Sequence, residues 1–111
     1  TEAFSATQRL HIDLTNRSQI CMSGWVTTTG FAGSKLYLQY TPIAAPQTSF
    51  STLIAKASGL ALDTVSSTVL QVTAWVSIPV AARGQVVTRI MGEDGNGVAS
   101  PVVRAIECHF R

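Results

Sequence analysis

Gln85-Val86-Val87-Thr88-Arg89-Ile90-Met91, followed by Gly92-Glu93-Asp94-Gly95-Asn96-Gly97 and then Val102-Val103-Arg104-Ala105-Ile106-Glu107-Cys108-His109-Phe110-Arg111, is the stretch that decides the fold. In its first run Val86, Thr88 and Ile90 share one side of an extended chain, and Val87, Arg89 and Met91 share the other. In its last run Ile106, Cys108 and Phe110 alternate with Glu107, His109 and Arg111. Three glycines within Gly92–Gly97 supply the positive-φ conformations of a chain reversal. Pro101 stands where a returning strand starts and a missing N–H costs least. The pattern predicts a closing β-hairpin.

The same period of two recurs toward the N-terminus. Residues 1–8 form a polar lead-in, and a single domain is expected over residues 9–111. Leu10, Ile12 and Leu14 alternate with His11 and Asp13 as a first strand, and Thr15-Asn16-Arg17-Ser18 is a turn. Ile20, Met22 and Val26 share a face in the second strand, with Cys21, Ser23 and Trp25 opposite. Thr29–Ser34 is a glycine loop, and Leu36, Leu38 and Tyr40 alternate with Tyr37 and Gln39 in the third strand. Two short strands are expected near Phe50–Ile54 and Leu60–Val65, with at most one helical turn around Thr52–Ala57 before Ser58-Gly59. Thr68–Pro79 is expected to be the longest strand, with Leu70, Val72, Ala74, Val76 and Ile78 inward and Gln71, Thr73, Trp75 and Ser77 outward. Seven or eight strands of this kind describe an all-β, two-sheet antiparallel β-sandwich, in an immunoglobulin-like Greek key or a jelly roll. Leu36, Leu38, Val72, Val76, Ile90, Ile106 and Phe110 are expected in one core.

Composition bears on function. Apolar residues make up 46% of the chain and charged residues 13%, about half the ordinary charged share of a soluble domain. A surface this poor in charge suggests that neighbours cover part of it. The formal charge is +2 from scattered Lys and Arg, with no basic stripe to follow a phosphate backbone, so no nucleic-acid partner is expected. No apolar run is long enough to cross a bilayer as a helix, so no membrane partner is expected.

Lys35-Leu36-Tyr37-Leu38-Gln39-Tyr40, Trp75-Val76-Ser77-Ile78-Pro79 with Ala81-Ala82-Arg83, and Val86 to Ser100 carry a resemblance. The portion from Arg89 to Ser100-Pro101 resembles the penultimate strand and following loop of fibronectin type III and immunoglobulin-like domains. The chain from residue 9 to 111 looks like the small β-sandwich domains in structural proteins of tailed bacteriophages, such as capsid decoration and tail proteins. The resemblance implies a virion setting, with an extracellular one as the alternative. Partners would then be other copies of the chain or a virion shell or tail protein. Immunoglobulin domains proper hold their core tryptophan between two disulfide-bonded cysteines, a pattern that Trp25, Trp75, Cys21 and Cys108 do not repeat.

Candidate chemistry is sparse. His11, Asp13, Glu107 and His109 would form a metal cluster only if the first and last strands were neighbours, and solvated outer-face residues are the favoured reading. Glu93, Asp94 and Asn96 offer oxygen ligands without the order of a calcium loop, so a polar turn is favoured and no cofactor is expected. No nucleophile elbow and no marked carboxylate pair are present, and a non-enzymatic protein is expected. Cys21 and Cys108 would close a long loop as a disulfide, but alternation places Cys21 outward and Cys108 inward, which favours a free Cys108; a bulge in either strand would reverse that preference. Trp25, Tyr37 and Trp75, together with Arg89, are the candidates for an outer-face interface. The same aromatics would serve a carbohydrate-binding module as a stacking platform, and a shift of register would bury them instead.

Overall fold

Among the described residues, period-two alternation produces nine strands: β1 (Leu10–Asp13), β2 (Gln19–Thr27), β3 (Lys35–Pro42), β4 (Ser51–Ile54), β5 (Leu60–Ala61), β6 (Val69–Val72), β7 (Val76–Ser77), β8 (Gln85–Glu93) and β9 (Val102–Phe110). The computed structural model describes residues 9–27, 35–62, 68–93 and 102–111. Helix among these residues is confined to single 3-10 turns at Lys56–Ser58 and Val80–Ala82. The lead-in before residue 9, the glycine loop at 29–34, Asp94, Asn96 and Pro101 lie outside the described residues, as does the end of the predicted Leu60–Val65 strand.

The strands form two antiparallel sheets, packed face to face as an all-β sandwich. One has the order β1-β8-β3, with β4 and β5 sharing the far edge of β3. In the other, β2 is flanked by β9 on one side and by β6 and β7 on the other. Leu36, Leu38, Tyr40 and Val86 from the first sheet meet Ile20, Met22 and Val26 from the second, and Leu14, Ile54, Leu60 and Ile78 complete the buried core.

The predicted closing hairpin is not formed. β8 lies between β1 and β3, whereas β9 pairs with β2 in the opposite sheet. Residues 94–101 provide enough chain to cross the roughly 10 Å between packed sheets, a distance that a two-residue hairpin turn cannot span. β2 and β9 therefore pair in one sheet, and β3 and β8 in the other. An immunoglobulin order would instead set the last strand beside the penultimate one.

The predicted strand over Thr68–Pro79 is also broken, into β6 and β7. Thr73 turns inward between them, where its N–H donates to the Met22 carbonyl at 2.9 Å and its Oγ1 accepts the Met22 N–H at 2.9 Å. The irregular residues 73–75 shift the parity by one. Val76 and Ile78 keep their inward side, but Leu70 and Val72 pair with Trp25 and Ser23 on the outer face. Val72 is thus exposed and not a core residue. Leu36 and Leu38 are buried as expected, while Val76, Ile90, Ile106 and Phe110 are half-buried against the core.

Candidate functional site

The outer face of the four-stranded sheet gathers the exposed aromatics of the described residues, Trp25 and Trp75. Alternation along β2 projects Gln19, Cys21, Ser23 and Trp25 outward, opposite the buried Ile20, Met22 and Val26. Trp25 is 46% exposed; beside it Leu70 and Val72 of β6 are 49% and 58% exposed. Trp75, 37% exposed, carries the Arg111 guanidinium 4.2 Å above its ring, and Arg111 Nε donates to Gln19 Oε1 at 2.8 Å on the same face. Cys21 is buried there, and that burial pushes its thiol pKa up.

Between the apolar strip and β9 lies a shallow depression of about 300 Å³, lined by Trp25, Leu70 and Val72 on one side and by Ser23, Glu107 and His109 on the other. Ser23 Oγ and His109 Nε2 share a hydrogen bond of 2.9 Å. Glu107 Oε2 stands 3.6 Å from that same nitrogen. A nucleophilic relay needs its acid on the opposite ring nitrogen from the hydroxyl, so these three side chains do not form one. What the depression offers is a stacking surface beside hydroxyl, imidazole and carboxylate groups.

A bulge shapes its floor. Between the Ser23–Glu107 and Trp25–Arg104 pairs β9 carries one residue more than β2, and Ala105 adopts φ 52°. The extra residue lets Val103 and Ile106 both pack on the core despite their odd spacing. Gly24 sits across from the bulge; a Cβ there would stand 3.2 Å from both Leu60 Cδ2 and Val103 Cγ1.

The other predicted residues lie elsewhere. Tyr37 is half-buried on the outer face of the five-stranded sheet, paired with Met91. Arg89, on that sheet too, lies 4.0 Å over the Phe50 ring and donates from Nε to Gln39 Oε1 at 2.8 Å, a local stack remote from Trp25. Glu93 ends β8 opposite Lys35, and its loop partners Asp94 and Asn96 are outside the described residues. The four polar residues considered for a metal are divided: His11 and Asp13 sit on β1 in one sheet, Glu107 and His109 on β9 in the other. His11 Nε2 donates to Gln85 Oε1 at 2.6 Å, and Asp13 accepts from Thr15 N and Oγ1 at 3.0 and 2.6 Å. Among the described residues no group of three or more His, Cys, Asp or Glu could hold a metal ion.

Alternation alone places Trp25 and Trp75 on the outer face but not Leu70 and Val72, because an unbroken period through Thr73-Ala74-Trp75 sets those two inward. Ala74, a weak strand former between the β-branched Val72-Thr73 and Val76, is the available sign of the break. No family model, curated protein or solved structure matches this chain.

Proposed function

We propose that this protein is a non-enzymatic structural module of a larger assembly and acts through protein–protein contacts on the outer face of its four-stranded sheet. The observation that carries the reading is the exposure of Trp25, Leu70, Val72 and Trp75 together on that face. Large apolar side chains held rigidly by a sheet bury area at low entropic cost, and contiguous exposed apolar area marks contact surfaces. The setting implied by the sequence resemblance is the virion of a tailed bacteriophage, as a decoration, capsid or tail protein. Trp25→Ala is expected to weaken assembly by about 2 kcal/mol and to leave the melting temperature of the isolated domain nearly unchanged. Light scattering and calorimetry on the same variant check both. A several-degree loss of melting temperature with assembly intact would refute the interface role of Trp25.

A second reading has its own support, the juxtaposition of Trp25 with Ser23, Glu107 and His109 around one depression. A sugar ring stacked on an indole needs hydrogen-bonding groups of this kind at its edge. A carbohydrate-binding module predicts that soluble oligosaccharides change the tryptophan fluorescence of a monomer, and that Trp25→Ala abolishes the change.

A further inference from the structure

We infer that β9 is the joining edge of a symmetric dimer, in which two copies of this chain pair antiparallel through residues Ile106–Phe110 about an axis at Cys108. Hydrogen bonding along β9 shows which groups are committed. Arg111 and Gln19 exchange both backbone bonds, at 2.8 and 2.9 Å, and register then assigns the bonded pairs His109–Cys21 and Glu107–Ser23 to β2. The backbone groups of Cys108 and Phe110 point the other way, and no described strand pairs with that side of β9.

Side chains mark the same edge as incomplete. Across from it β1 ends the other sheet, and between the two runs an open cleft of about 500 Å³ lined by Leu10, Ile12, Cys108 and Phe110. Leu10 points to the core side yet is 50% exposed, and no described strand lies beyond β9 to cover it. From Ile106 to Phe110 the edge has neither proline nor lysine, the residues that usually block edge pairing, and the bulge at Ala105 stands just before it.

The segment is complementary to itself. With Cys108 facing Cys108 of the second copy, Glu107 faces His109 of the second copy and His109 faces its Glu107 on the outer side, while Ile106 meets Phe110 and Phe110 meets Ile106 on the core side. Shifting the axis to His109 would set the two imidazoles against each other and require Arg111, which Gln19 and Trp75 already engage. In the register centred on Cys108 the two Cα atoms are about 5.5 Å apart, within the span of a disulfide. The inference concerns a different surface from the Trp25 face.

Light scattering on the full chain at micromolar concentration is expected to give a dimer. Cys108→Pro removes an N–H that β2 does not use, and is expected to give a monomer that keeps its strand circular dichroism. Glu107→Lys is expected to weaken dimerisation about tenfold, and adding His109→Glu to restore it, a rescue that decides the matter if the proline variant fails to fold. In a Cys21→Ser background, diamide is expected to link Cys108 to Cys108. Each thiol gives up one proton and one electron, the S–S bond forms, and the N=N bond of diamide takes up both protons and both electrons. A monomeric wild-type chain overturns the inference, as does a dimer that survives Cys108→Pro or one that Glu107→Lys with His109→Glu fails to restore. A dimer abolished by Trp25→Ala but untouched by the edge variants overturns it in favour of the outer face.

Discussion

At the residue scale, Ala105 and Cys108 occupy positions whose cost can be measured. Ala105 holds a left-handed conformation, φ 52°, which crowds its Cβ against the backbone by roughly 1 to 2 kcal/mol. Ala105→Gly removes that strain at the expense of some unfolded-state entropy, so a gain of about 1 kcal/mol in stability is expected in urea unfolding. Ala105→Val should act in the opposite sense. Cys108 lies against the core, and its burial pushes the thiol up from 9.0 to about 11. The folded state therefore holds the proton more tightly than the unfolded state. Stability is fully present below about pH 9 and is lost as pH rises toward 11, by about 2 kcal/mol. Unfolding measured between pH 8 and 11 should show this decline, and Cys108→Ala should flatten it.

At the element scale, the break between β6 and β7 brings Leu70 and Val72 out beside Trp25, and Thr73 holds it in place. Its Oγ1 accepts the Met22 N–H in a buried setting. Thr73→Val keeps the shape but leaves that N–H unpaired, and is expected to cost about 1 to 3 kcal/mol, with Thr73→Ser close to wild type. A Thr73→Val variant as stable as wild type would show that the kink is maintained by packing alone. The junction of β5 with β3 is equally constrained, since a Cβ at Gly59 would collide with the Leu36 carbonyl oxygen. Gly59→Ala is accordingly expected to lower the melting temperature by several degrees in calorimetry, because backbone on both sides would have to move.

At the scale of the whole molecule, stability follows depth between the sheets. Leu38 and Ile54 are fully buried, so truncation of either to Ala is expected to cost about 3 to 5 kcal/mol. Ile90 and Phe110, at the half-covered margin of the core, should cost only about 2 kcal/mol, nearer the low end of such substitutions. If β9 is joined to a second copy, Phe110→Ala becomes the more damaging change as protein concentration rises, since part of its covering is then supplied by the partner. Equal losses for Phe110→Ala at low and high concentration would argue that its packing is complete within one chain.

What the sequence alone determined was the all-β class and the facing of most strands. Side chains in an extended chain alternate strictly, so Leu36 and Leu38, Ile20 and Met22, and Trp25 against them were legible from composition at every second position. Alternation is blind to two things. It cannot register a bulge, and one extra residue reversed Leu70 and Val72 and allowed Val103 and Ile106 to face the same way. It also cannot say which strands are neighbours: the inward face of β9 fits beside β8 or β2 alike, and the hairpin expected from the glycines gave way to a crossing. That choice belongs to tertiary structure, because β1 and β3 already occupy both edges of β8, leaving β2 as the partner through which β9 satisfies its backbone and covers its apolar side.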